Sequence, residues 1–356
     1  MNGDSFCYLK ARGFISLQLL RSPCTSIVAT PDTLPLVCVD PNPDISGIGV
    51  RVAIYVQAFV NIACVIIFSL DNHISGFEHK VLINASLNLF VSGCALLICT
   101  AVQGTTFGLS LHHALIVLNL NWIIAFSGLL YVLIFAYNHV KGQFGGRRFG
   151  PGKIEPATMW LAVVSGTHLC GMGAVGIWVW VKSKTFGGQP ECNSLTSLRI
   201  FGKKLNALDP TLRKASIAVY AIATVPVVNL LVVLLFALII IGFVWLFYWA
   251  VHGHFQCFSP PWRGFVLSGA IAVVLALDTA FIVSTELMIS RGCVKVGEGQ
   301  WTYGQTLALV GLIIPLIDTM KMLKLWIGGV ERHNRFGRED VNDWTVAPTK
   351  FPFRRL

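Results

Sequence analysis

Of 356 residues, 54% are hydrophobic and only 12% are charged, and the mean hydropathy is +0.68. An ordinary soluble domain carries about 25% charge, so a water-soluble fold is excluded and lipid must cover part of the surface. The net charge of +10 does not point to nucleic acid, because the basic residues sit in loops and tails beside apolar runs and no basic helix carries interleaved aromatics.

In chain order, residues 1–48 read as an N-terminal extramembrane tail. Its apolar stretch Phe14–Leu20 is interrupted by Gln18 and followed by Arg21, Ser22 and Pro23 instead of a small-residue cleavage site. An irregular tail is expected there, not a signal peptide. The first span covers about 49–70, entered by Arg51, and the second about 81–102. Gln103-Gly104-Thr105-Thr106 reads as a tight turn making spans two and three an antiparallel hairpin. Span three covers about 109–137 and span four about 158–181. The apolar stretch Ser216–Val251 has 36 residues, too long for one crossing of a ~30 Å hydrocarbon core and too short for two crossings and a turn. Pro226 divides it into an interfacial turn at 216–225 and a span at 227–250. Span six covers 264–290 and span seven 302–327. The expected fold is therefore an all-α integral membrane protein, a bundle of about seven helices over 49–328 with a cytoplasmic C-terminal tail at 329–356. Trp and Tyr at the ends of nearly every run fit an interfacial belt.

Lys and Arg counts on the two faces nearly balance, so cysteines carry the orientation. Cys64, Cys94, Cys99 and Cys170 fall within spans as small packing groups. Cys7, Cys24, Cys38, Cys192 and Cys293 fall on the N-terminal side, and Cys257 alone lies opposite. Disulfides persist outside the cytosol. The N-terminus is therefore placed outside or in the lumen and the C-terminus in the cytosol, in the plasma membrane or secretory pathway. Cys38, Cys192 and Cys293 are candidate disulfide partners whose pairing stays open. The sequon Asn84-Ala85-Ser86 sits inside span two, where it should carry no sugar.

Three segments, Cys38–Arg51 (CVDPNPDISGIGVR), Leu109–Trp122 (LSLHHALIVLNLNW) and Gln300–Gln305 (QWTYGQ), together resemble a group of uncharacterised fungal multi-pass membrane proteins. The resemblance covers about residues 38–327 and implies a multi-span fold. It brings no catalytic or ligand-binding residues with it.

Ionisable groups inside spans are costly and are functional candidates by default. Asp278 lies mid-span in span six with Glu286 two turns on, and Asp318 and Lys321 are three apart in span seven, a spacing at which they compensate one another. Asn119 and Asn121 join them as a candidate intramembrane polar site. With Gln57, Asn61, Asn84, Asn88, Asn229 and Gln305 they otherwise serve as interhelical ties. In span four, Ala162, Gly166, Cys170 and Ala174 form a small-residue stripe suited to close helix packing, and His168 beside it is expected to be hydrogen-bonded to a neighbour. His252, His254 and Cys257 have the chemistry of zinc ligands but number one short of a structural site, so no metal and no cofactor is expected. The Gly-rich loop at 142–152 lacks a phosphate-loop ending, and no His-Glu-x-x-His or Gly-x-Ser-x-Gly occurs, so an enzyme is not expected. The last span also lacks a suitably placed lysine for a retinal pigment. The preferred reading is a receptor or sensor contacting lipid, a small-molecule ligand not specified by the sequence, and a cytosolic partner at the 3–4 loop and C-terminal tail. A channel or transporter using the intramembrane carboxylates and amides, and a structural or partner-binding protein, remain the alternatives.

Overall fold

The structure, a computed structural model, describes residues 39–70, 76–144, 156–200, 203–225, 239, 242–243, 246, 260–292, 294 and 297–339. The helices are α1 (Pro43–Ser46), α2 (Ile48–Leu70), α3 (Gly76–Thr106), α4 (Leu111–Phe144), α5 (Pro156–Val181), α6 (Pro210–Thr224), α7 (Pro260–Ser290), α8 (Tyr303–Val310) and α9 (Ile313–Glu339). Between α5 and α6 lie a 3-10 helix, Pro190–Leu195, and an antiparallel hairpin of β1 (Ser197–Ile200) and β2 (Lys203–Asn206). Among the described residues six apolar helical segments are long enough to cross a bilayer: Pro43–Ile67, His79–Thr106, Leu111–Gly128, Ala157–Val181, Leu267–Ser290 and Tyr303–Gly328. The expected span at 227–250 lies almost wholly outside the described residues, as do residues 1–38 and the His252, His254 and Cys257 group.

The core centres on α4. Leu111, Leu115, Ile116, Val117, Leu118, Leu120, Ile123 and Ile124 are all essentially inaccessible. Burial at consecutive positions covers every side of a helix, as in the middle of a bundle. The other helices show large exposed apolar side chains such as Phe59, Ile98, Val163 and Ile314, which suit contact with lipid chains. Residues 39–48, 107–110, 182–200, 203–209, 291–292, 294 and 297–302 meet at one end of the bundle, the loop end. Their meeting is recorded in Asp40 N–H to Gln189 Oε1 (3.1 Å), Gly188 N–H to Gly108 O (2.9 Å) and the Val39–Val294 bridge.

Several boundaries differ from the sequence expectations for identifiable reasons. Helix α3 runs through the residues read as a turn, and within its last turn the Thr105 and Thr106 hydroxyls donate back to the carbonyls of Ala101 and Val102. The chain reverses instead over Phe107–Ser110, where Gly108 has φ +73°. Residues 216–225, expected as an interfacial turn, belong mostly to helix α6. Asp209 caps it, accepting from Leu212 N–H at 2.9 Å, and Pro210 starts it. The last span is interrupted at Gly311-Leu312. Pro315 has no N–H to donate, and its ring crowds the carbonyl four residues back, that of Gly311.

Helices α5 and α6 approach closely, but not along the expected stripe. Gly166 has nothing within 4 Å of where a β-carbon would stand. The contact uses Gly173 and Gly176, where added β-carbons would lie 2.3 Å from Thr224 Oγ1 and 2.4 Å from the Tyr220 ring. Arg213 of α6 donates to the carbonyls of Trp180 (3.3 Å) and Val181 (3.1 Å), satisfying the exposed C-terminus of α5. Trp180, expected in an interfacial belt, is only 2% exposed beneath this cap.

Candidate functional site

The loop end is held by a clasp centred on Glu298 in the α7–α8 loop. Its carboxylate accepts from the Ser46 hydroxyl and from Asn42 N–H (3.1 Å), and lies 3.3 Å from His113 Nε2. His113 Nδ1 is 2.7 Å from Ser110 Oγ, and the Asn42 side-chain amide donates to Gln103 Oε1 at 2.5 Å. Burial works to raise the Glu298 carboxyl, but the hydrogen bond and charge of His113 and the Asn42 amide outweigh it and hold the group below the ordinary glutamate range. One step away, Gln305 accepts from Gly49 N–H (2.9 Å) and donates to Gln300 O (2.7 Å). The three segments that carry the sequence resemblance therefore meet at this end. Asn42, Ser46 and Gly49 come from the first, Ser110 and His113 from the second, and Gln300 and Gln305 from the third.

The six intramembrane candidates do not form one site. Asp278 is 1% exposed. It accepts from the Ser127 hydroxyl of α4 at 2.6 Å, and its Oδ1 has no partner among the described residues. Glu286 is engaged by Arg51 and by the Tyr55 hydroxyl (3.0 Å), tying α7 to α2. Asp318 and Lys321 face each other at 3.4 Å with the lysine 60% exposed, the mutual compensation their spacing suggests. Asn119 and Asn121 are two apart on α4 and so point to opposite faces. Asn119 donates to Ser284 Oγ of α7 at 3.3 Å, whereas Asn121 Oδ1 meets His168 Nε2 of α5 at 2.8 Å. A separate tie joins Ser86 to Asn61 (2.9 Å) and Asn61 to the Ser127 carbonyl (2.8 Å).

A cavity of about 320 Å³ lies between α4, α6 and α7 near the loop end. Leu118, Asn119 and Trp122 form one wall, Tyr220 and Val219 another, and Ala280, Phe281 and Ser284 a third, with Leu198 and Arg199 of β1 above. The Ser284 hydroxyl donates to the Arg199 carbonyl and so fastens the hairpin roof to α7. Trp122 stacks on Phe126 (5.4 Å, 24°), approaches Phe281 (6.2 Å) and donates its indole N–H to the Tyr220 hydroxyl at 2.9 Å. Burial and the neighbouring Arg291 both act against the charge on Arg199, and among the described residues neither arginine is paired with a carboxylate. The sequence reading missed this cavity. One of its walls and its roof depend on α6 and β1, which do not stand out in the chain as apolar periodic segments.

Cys192 packs with Val39 and Val294 in a small cluster of its own. These two valines adjoin Cys38 and Cys293, which lie outside the described residues. Peptide mapping after alkylation without reduction is expected to yield a cross-linked pair drawn from Cys38, Cys192 and Cys293. Alkylation of all three thiols would remove the pairing. Among the described residues no group of three or more His, Cys, Asp or Glu side chains is arranged to hold a metal ion.

These observations define an all-α, multi-pass membrane protein with a folded cap at one end. No known family model, curated protein or solved structure matches the chain.

Proposed function

We propose that the chain is a seven-span receptor-like membrane protein that takes a small ligand into the cavity between α4, α6 and α7. The carrying observation is the cavity itself. Its size falls at the lower end of the range typical of ligand sites, roughly 300–1,000 Å³, and it combines an apolar aromatic wall with a few converging polar groups. The reading takes the apolar stretch at 227–250 as the seventh span, with the N-terminus outside and the C-terminal tail in the cytosol to meet a partner. A channel or transporter has less support. Its polar path would have to run through Asp278, Glu286 and the amides, and these are spent in separate pairs on different helix faces.

Two measurements test the proposal. Protease-accessible tags at each terminus are expected to report opposite faces of the membrane, and both tags on one face would remove the seventh span. For the ligand site, purified protein in nanodiscs is titrated with twelve-carbon amphiphiles of anionic, neutral and cationic head groups while thermal unfolding is followed. Saturable stabilisation by at least one of them, lost in Ala280→Phe, is expected. If none stabilises the wild type in a way that Ala280→Phe abolishes, the receptor reading falls.

A further inference from the structure

Once internal partners are assigned, the cavity wall is left with one spare donor and one spare acceptor. The donor is on Tyr220. An indole N–H can only donate, so in the 2.9 Å contact between Trp122 and Tyr220 it is the phenol oxygen that accepts. The phenol's own proton then finds no acceptor among the described residues, although Tyr220 is only 5% exposed. The acceptor is on Asn119. Ser284 has a single hydroxyl proton and gives it to the Arg199 carbonyl, so toward Asn119 it can only accept. Asn119 must therefore turn its NH2 toward α7, where it donates to Ser284 Oγ at 3.3 Å and to Met288 Sδ at 3.4 Å. Its Oδ1 is left without a donor among the described residues, and Asn119 is likewise 5% exposed. Asn119 and Trp122 are three apart on α4 and share a face, and Asn119, Trp122 and Tyr220 all line the cavity.

A buried donor or acceptor left unmade is costly, so an occupant that supplies both partners is favoured. Among the described residues no Asp, Glu, Lys or His lines the cavity. At the roof Leu198 is buried and Arg199 follows it in β1, where successive side chains take opposite faces. What Arg199 fixes at the cavity is its carbonyl. Resting on the cavity reading above, we infer that the ligand is an uncharged apolar molecule bearing a hydroxyl group. The hydroxyl oxygen accepts from the Tyr220 O–H, and its proton goes to Asn119 Oδ1. A hydroxyl serves both leftover groups at once, whereas an ether or ketone only accepts and a hydrocarbon does neither. The apolar body lies against Leu118, Leu198, Val219 and Phe281.

The test compares ω-bromododecanol, its methyl ether and bromododecane, since bromine quenches tryptophan at short range and Trp122 and Trp180 line the cavity. Full-length protein is reconstituted in phosphatidylcholine nanodiscs and tryptophan fluorescence is titrated. Affinities are referred to the mole fraction of probe in the bilayer, so that partition cancels. Saturable quenching is expected, absent in Ala280→Phe and Ala215→Phe. The alcohol should bind about tenfold tighter than the hydrocarbon, the scale of one to two net hydrogen bonds, with the ether between them. Asn119→Ala removes the acceptor and should bring the alcohol down to the ether. Tyr220→Phe removes the donor and should bring the ether down to the hydrocarbon. Equal binding of the three probes to the wild type overturns the hydroxyl assignment and leaves the ligand cavity standing, whether or not the variants fold. Tighter binding of ω-bromododecanoate than of the alcohol overturns the uncharged assignment. Absence of saturable quenching by every probe overturns the cavity reading as well. Nanodiscs containing a sterol separate the sources. Displacement of the bromoalcohol assigns the hydroxyl to a bilayer sterol and no displacement assigns it to a free alcohol, and either result upholds the hydroxyl.

Discussion

Replacing Glu298 with alanine is expected to cost on the order of 3 kcal/mol of stability, because it unties three segments from one another at once. Ser46 and Asn42 belong to the N-terminal segment, His113 to α4, and Glu298 to the α7–α8 loop. The carboxylate is 14% exposed, so water does not readily replace it. Glu298→Gln keeps one accepting oxygen and is expected to fall between wild type and alanine. The pH dependence follows from the direction of the carboxyl's displacement. A folded-state value below the unfolded one means the contribution is complete above the ordinary glutamate range, near pH ~4.3, and disappears as pH falls through the lower folded value. Thermal midpoints of detergent-solubilised wild type and Glu298→Ala should therefore differ at neutral pH and converge under acid. Equal midpoints at pH 7 would show that the clasp contributes nothing.

The second large effect is expected where α5 and α6 touch. Gly173→Ala would place a β-carbon 2.7 Å from both the Thr224 nitrogen and the Tyr220 carbonyl oxygen, backbone atoms that can yield only by moving the whole helix. Overpacking of this kind costs about 1–3 kcal/mol and displaces α6. Displacing α6 also moves Tyr220 and Val219 out of the cavity wall, so ligand-probe affinity should fall together with thermal stability. Gly166→Ala is the matched control on the same helix. With nothing within 4 Å and the better helix propensity of alanine, it should be neutral or slightly stabilising. If the two substitutions behave alike, the α5–α6 contact is not the one described.

That contrast marks the reach of the sequence. Long apolar runs announce themselves, and the first, fourth and sixth spans begin or end within a few residues of α2, α5 and α7. Gly166 and Gly173 are chemically identical in the chain, and only the partner helix tells them apart. That partner was hidden because α6 opens with Arg213 and Lys214 and runs up to Pro226, which together read as an interfacial connection. The hairpin was equally quiet. Its strands are four residues each, and Arg199, Lys203 and Lys204 interrupt any apolar alternation. Glu298 gave no signal, since it sits in the polar loop Val296-Gly297-Glu298-Gly299-Gln300 and its partners lie 185 and 252 residues away. Asp278 stood out as a charge in an apolar run, but its tie to Ser127 depends on how two helices turn toward each other. His168 was expected to find a hydrogen-bonding neighbour, and Asn121 is that neighbour.

Helix α4 holds the loop-end clasp through His113, the cavity through Asn119 and Trp122, α5 through Asn121, and the buried carboxyl of α7 through Ser127. These grips point in different directions from a single stiff axle. Its orientation is therefore fixed from several sides at once, and a substitution that shifts this axle is expected to disturb contacts far apart along it together.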